Sequence, residues 1–138
     1  MLGSLYRFAI IAGFASQYAL GVMPSTVRVR QSGSTAHNLP TDLPSVDGYV
    51  ASQNCADIGS IIWLRPIGQT EWESFLVADC ASLTAGSPRP GESSYRWMVR
   101  NNILFEIDGL TARRWNTVGR LASIEMRVLI RSPRHKYR

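Results

Sequence analysis

The residues of this chain best suited to chemistry are few. Tyr95-Arg96-Trp97 sets two aromatic rings around a guanidinium. Exposed aromatic faces stack on sugar rings, and Arg96 and Arg100 would hold acidic groups. The competing structural reading makes Trp63, Trp72 and Trp97 ordinary strand residues that fill a barrel or cover it. Two acids stand among apolar neighbours: Asp79 follows Phe75-Leu76-Val77-Ala78, and Glu106 lies within Ile103-Leu104-Phe105-Glu106-Ile107. Apolar surroundings raise a carboxyl pKa, as a general acid near neutral pH requires. The two cysteines are Cys55 and Cys80. In an exported chain they form a disulfide, closing a loop of about 25 residues and stabilising by roughly 3 kcal/mol. In a reducing compartment they would be buried thiols. Two cysteines do not make a zinc site, and His37 and His135 lie in polar stretches, so no metal is expected. P-loop, Rossmann and Gly-x-Ser-x-Gly patterns are missing from the sequence, and no cofactor is expected.

The elements that must position these residues fit one domain, since the chain has 138 residues. Hydrophobic residues make up 45%, enough for a real core. The net charge is +5, almost all of it arginine, with Lys136 the only lysine. A basic surface suits polyanions, but helix-turn-helix, RNP and zinc-finger patterns do not occur, so nucleic acid is not an expected partner. Arg7 precedes the apolar run Phe8-Ala9-Ile10-Ile11-Ala12-Gly13-Phe14-Ala15, and no acid occurs before Asp42. This reads as a signal peptide over residues 1–15, cut after Ala15 or after Gly21. The run is too short to span a bilayer, so no stable membrane insertion is expected after its removal. The other reading is a buried first strand or helix of a cytosolic domain.

Residues 25–30, Ser-Thr-Val-Arg-Val-Arg, alternate as a half-buried strand. Residues 31–48 are polar and loop-like. Extended structure resumes at Gly48-Tyr49-Val50-Ala51. Residues 59–64 form a β run ended by Pro66, residues 67–70 a hairpin turn, and residues 72–78 the partner strand. Residues 82–94 are an exposed Gly/Pro loop. Residues 95–100 suit a strand or a short helix. After the strand ending at Ile107, Asp108 reads as the N-cap of the only substantial helix, over residues 109–116. Residues 123–130 are the last strand, and residues 132–138 a basic tail.

The order of these elements resembles the rare lipoprotein A, barwin and expansin group. Ala15-Ser16-Gln17-Tyr18-Ala19-Leu20-Gly21 is similar to its opening Ala-Ser-x-Tyr-x-Gly motif. Val50-Ala51-Ser52-Gln53 followed by Gly59-Ser60 is similar to its Ala-Ala-His and Gly-Thr landmarks, and Val77-Ala78-Asp79 to its Val-x-Asp. Phe105-Glu106-Ile107-Asp108, a short helix, Gly119 and a closing strand match its Ile-Asp-Leu-Ser ending. The resemblance runs from about Ser16 to Ile130 and implies an all-β, six-stranded double-psi β-barrel with one short helix, the domain covering residues 16–131. Starting the mature chain near Ser16 is expected to keep its first strand. The departures are specific: the family histidine falls on Gln53, Cys80-Ala81-Ser82 replaces Arg-Gly-Pro, the second aspartate is Glu106, and the serine is Asp108.

By this resemblance Asp79 and Glu106 are the candidate catalytic carboxylates for glycan cleavage, in a lytic transglycosylase or an endoglucanase-like hydrolase. Tyr95, Arg96, Trp97 and Gln53 are the candidate substrate contacts, with Tyr95-Arg96-Trp97 bordering the groove. The structural alternatives are that Asp79 caps a turn and that Glu106 pairs with Arg100 or Arg127. With the histidine lost, a non-catalytic barrel that binds polysaccharide or peptidoglycan is favoured over an enzyme, and a barwin-like secreted effector is the third reading. The chain is expected to be a secreted or wall-associated monomer.

Overall fold

In the computed structural model, residues 6–84 and 86–131 are described. The expected tail, residues 132–138, and the first five residues of the expected signal lie outside them. Six strands carry the fold: β1 (Tyr6–Gln17), β2 (Gly48–Ser52), β3 (Ile61–Pro66), β4 (Glu73–Cys80), β5 (Ile103–Ile107) and β6 (Ala122–Arg131). Three short helices join them: α1 (Val22–Gln31), α2 (Ser94–Arg100) and α3 (Gly109–Arg114). The strands hydrogen-bond in a closed ring, in the order β1-β5-β2-β4-β3-β6. The pairs β1·β5 and β2·β4 are parallel and the other four antiparallel. Exchanging β1 with β4, β2 with β5 and β3 with β6 leaves every pairing and its direction unchanged.

The ring encloses a core of alternating strand residues, among them Val50, Phe75, Val77, Phe105, Ile107 and Ile124. A second cluster forms where Met23 and Val27 of α1 pack on Leu76 and Ala78 of β4. Residues 25–30 are therefore helical, not the expected strand. Their alternation of Val and Arg conceals a helical pair: Met23 and Val27 stand four apart and share the buried face. Pro24 lies in the first turn, where proline costs no intrahelical bond.

Residues 95–100 belong to the second of the two forms expected, a helix, capped by Ser93, whose Oγ accepts from the Arg96 amide at 3.1 Å. The hairpin turn between β3 and β4 lies where expected, with Gly68 at φ 95° and the Gln69 amide donating to Pro66 O at 3.1 Å. The disulfide Cys55–Cys80 is present, with Cα atoms 4.8 Å apart. It ties a 3-10 turn before β3 to the end of β4, the hairpin partner of β3.

Asp108 is the N-cap of α3, but α3 has 6 residues and α1 has 10, so α3 is not the main helix. The Asp108 side chain accepts from the Thr111 amide at 2.7 Å, the Tyr49 amide at 2.7 Å and Thr111 Oγ1 at 3.1 Å. It thus pins α3 to β2 as well as capping it. Gly48 makes room for this: a Cβ there would meet Thr111 Oγ1 at 2.5 Å and Asp108 Oδ2 at 2.8 Å. Asp108→Ala is expected to cost about 2 kcal/mol, the loss of a cap plus a stranded strand amide. Urea denaturation measures it, and a loss below about 0.5 kcal/mol would remove the double role.

β1 begins well before Ser16. Ten of its residues, from Tyr6 to Ala15, pair with Arg131 to Ala122 of β6. A chain starting at Ser16 would therefore keep only two of the strand's twelve residues, contrary to the expectation that this start preserves the first strand. The run Phe8 to Ala15, read as a signal core, is part of the barrel ring.

Candidate functional site

The site grows from one row across the sheet. Ala51 of β2 is directly opposite Glu106 of β5 on one side and Asp79 of β4 on the other, and Ser16 of β1 is opposite Glu106. Directly opposed residues share a face of the sheet. Both carboxylates therefore flank one methyl group, their Cα atoms about 10 Å apart by two strand spacings. Irregularities in the ladders set this row: the register shifts between Val50 and Ala51 in the β2·β4 pair, and between Phe14 and Ala15 in the β1·β5 pair. Such bulges re-aim side chains at strand ends.

Asp79 is tightly held. Its Oδ1 accepts from Arg30 Nη2 at 2.6 Å and its Oδ2 from the Tyr18 hydroxyl at 2.5 Å. Arg30 is anchored in turn by donating from Nη1 to the His37 carbonyl at 2.9 Å. Tyr18 is fixed by its own amide, which donates to Ile107 O at 2.9 Å. Burial, then the bond to Asp79, then the charges of Asp79 and Glu106 raise the Tyr18 pKa, so it stays a hydroxyl donor. The turn-capping alternative for Asp79 is replaced by this tyrosine–arginine clamp.

Glu106 is different. It is half-buried and forms neither of the ion pairs considered from the sequence. Arg100 is bound by Glu92, from Nη2 to Oε1 at 2.9 Å, and Arg127 stands among aromatic rings. Burial pushes the Glu106 pKa up to about 7; the nearby charge of Asp79 adds to this and the Ser16 hydroxyl works against it. Glu106 therefore carries a proton over much of the range in which an ordinary glutamate is ionised. The Ser16 hydroxyl faces Glu106, and Arg30 Nε, beside Asp79, is buried without a hydrogen-bond partner among the described residues. Ser16 and Tyr18 also line an open cleft of about 550 Å³ with Ala19 and the turn at residues 118–121. The row thus joins an acid of raised pKa to a clamped carboxylate; their neighbours Ser16 and Tyr18 line the cleft, and neither carboxylate does.

The other expected contacts sit elsewhere. Gln53, two residues beyond Ala51, donates from Nε2 to the Ile103 carbonyl at 2.8 Å and so ties β2 to β5. Tyr95, Arg96 and Trp97 lie on α2. Trp97 packs against Ala81, Met98 and Ile103, while Tyr95 and Arg96 are exposed. The Tyr95 amide bonds Ser82 O at 3.0 Å, three residues past Asp79. Among the described residues, no hydrogen bond, ion pair or ring contact joins this trio to either carboxylate.

Ser16, Tyr18 and Arg30 are the members of the site that sequence reasoning did not assign. Tyr18 is the tyrosine of the Ala-Ser-x-Tyr motif and was findable there. Arg30 was hidden by the strand reading of its helix. Among the described residues no cluster of His, Cys, Asp and Glu suited to a metal occurs, and no helix is long and apolar enough to cross a membrane. No protein-family model matches this chain, and no match is found among curated proteins or solved structures.

Proposed function

We propose that this is an exported double-psi β-barrel protein that engages wall or extracellular polysaccharide at the Asp79–Glu106 row, with Glu106 as general acid for glycan cleavage. The observation that carries the reading is Glu106 itself: half-buried, without an ionic partner among the described residues, beside a clamped carboxylate, and protonated up to about pH 7. The half-for-half exchange of strands supports the double-psi topology. The disulfide supports an oxidising compartment, independently of how the N-terminal run is read.

In this reaction Glu106 gives its proton to the glycosidic oxygen as the bond to the anomeric carbon breaks. The leaving sugar departs as an alcohol. The anomeric carbon is then taken by water in a hydrolase, or by a hydroxyl of the same sugar in a lytic transglycosylase, and the released proton returns to Glu106. Asp79, held by Tyr18 and Arg30, supplies a fixed negative charge to the cationic sugar.

The clamp on Asp79 favours a second reading, a barrel that binds glycan without cutting it, because both carboxylate oxygens are already engaged. Retention on peptidoglycan, cellulose and chitin, with reducing-sugar release from the same samples, separates the two. Glu106→Gln is expected to keep retention and lower product release at least about a hundredfold. The wild-type rate is expected to fall as pH rises through about 7, where Glu106 loses its proton. Retention without any product leaves the binding reading; neither retention nor product sinks both.

A further inference from the structure

On the outer face of β1, β6 and β3, Arg127 is surrounded by rings. Its guanidinium carbon lies 4.6 Å from the ring centre of Phe8, 5.0 Å from Trp63 and 5.7 Å from Trp72. The register builds this cage: Arg127 is directly opposite Trp63 on one side and Ile10 on the other. Phe8 stands eight residues along β1 from Ser16, about 26 Å at the rise of a strand, so the cage is distinct from the carboxylate row.

The cation has aromatic faces but no counter-charge. Glu125, on the same face of β6, is taken by Arg65, Nε to Oε1 at 3.0 Å. Arg65 also stacks over Trp72 at 4.0 Å. Two guanidinium groups and one carboxylate leave a net positive charge. Among the described residues Arg127 has no hydrogen bond or ion pair, and its Nε is buried without a partner. Ring faces attract a cation but do not neutralise it, and a partly desolvated cation without an anion is costly. Phe8 is 62% exposed and Trp63 38% exposed, and with Arg127, Ile61 and Leu129 they line a hollow of about 420 Å³.

We infer that this hollow is a second glycan site, which takes the carboxylate of an acidic sugar residue on Arg127 and the apolar face of the ring on Trp63 and Phe8. The inference rests on the polysaccharide reading and narrows it to uronate-type polymers. A guanidinium fork matches a carboxylate, and flanking aromatic faces fit a pyranose ring better than a bare anion. Once the anion binds, the charges around Trp72 balance.

The full chain is tested by affinity electrophoresis through gels containing polygalacturonate or neutral dextran, alongside retention on cellulose and chitin, the neutral polymers among those used for the carboxylate row. The wild type is expected to be retarded by polygalacturonate and far less by dextran. Arg127→Gln is expected to weaken that retardation about tenfold or more, and Arg127→Lys, which keeps the charge and the stem but loses the fork, several-fold. Trp63→Ala is expected to weaken it as well. Arg28→Gln, an exposed charge on α1, is the control for net charge and is expected to have little effect. Circular dichroism melts check that each variant is folded, and Arg127→Lys carries the test if Arg127→Gln is not.

Equal losses in Arg127→Gln and Arg28→Gln would overturn the site, as would unchanged binding by Arg127→Lys and Trp63→Ala. Arg127-dependent binding to phosphatidylglycerol vesicles with no binding to polygalacturonate would assign the hollow to lipid and overturn it too. Retention on neutral glycan without any on polygalacturonate sinks this inference alone. No retention on any glycan sinks it together with the reading beneath it.

Discussion

A chain beginning at Ser16 is expected not to fold. Its deletion takes away the ten residues of β1 that pair with β6, and with them the closure of the ring. Ala15, fully within the core, goes too. What remains has two raw edges, along β5 and β6, where the intact ring has none. The whole margin of a small domain is only about 5–15 kcal/mol, so losing these ladder bonds and the closure is expected to unfold it. The 16–138 chain should show no cooperative melt by circular dichroism, and should aggregate or bind a hydrophobic dye. A cooperatively folding 16–138 chain with its disulfide intact would overturn the role assigned to β1. The matching observation on secreted material is the mature N-terminus by mass spectrometry, which is expected to lie before Phe8. A start at Ser16 or Val22 would contradict it.

The second large effect is on pH-dependent stability. Glu106 has its pKa raised from 4.5 to about 7 in the folded protein. Below 4.5 the carboxyl is protonated whether the chain is folded or unfolded, and its burial carries no electrostatic penalty. As pH rises, the unfolded chain ionises first, and stability drains away until the folded carboxyl also ionises near 7; above that the full penalty stands. The shift corresponds to about 3 kcal/mol, reduced to about 2 by the remaining solvent contact. Glu106→Gln removes the ionisation. It is expected to match the wild type near pH 4 and to exceed it by about 2 kcal/mol near pH 8.5. Urea melts at both pH values measure the gap. A variant equally or less stable than the wild type at the higher pH would show that Glu106 is adequately solvated or paired as an anion, and would remove the general acid from the proposed function.

What could be read from the chain was mostly what is local. The β3–β4 hairpin is written in a β-branched run, a Pro-Ile-Gly turn and a returning apolar run, and the structure has it. Asp108 was legible as a cap because strand residues stop at Ile107 just before it. Its hold on the Tyr49 amide was not, since that contact spans the ring. α1 was misread because Val27 and Val29 alternate with arginines as a strand would, while only Met23 and Val27 are buried. That error concealed Arg30, and with it the clamp on Asp79. Glu106 was assigned two candidate arginines by nearness in sequence or strand type. The structure commits Arg100 to Glu92 and leaves Arg127 to the rings. The convergence of Asp79 and Glu106 on Ala51 depends on two register shifts, which no periodicity records.

The exchange symmetry of the strands has a consequence for how the molecule forms. All six ladders join one of β1, β2 and β3 to one of β4, β5 and β6; no ladder lies within either set. The first half of the chain therefore leaves the ribosome with no sheet of its own to make. β2 waits for β4, and β1 for β5 and β6, with Tyr6 meeting Arg131 only once all of β6 has been made. Contacts so distant in sequence place folding toward the slow end for small domains, milliseconds to seconds. The apolar strand Tyr6–Gln17, the first made and among the last to be closed in, spends that interval unpaired, and a chaperone that shields extended apolar chain would act there first.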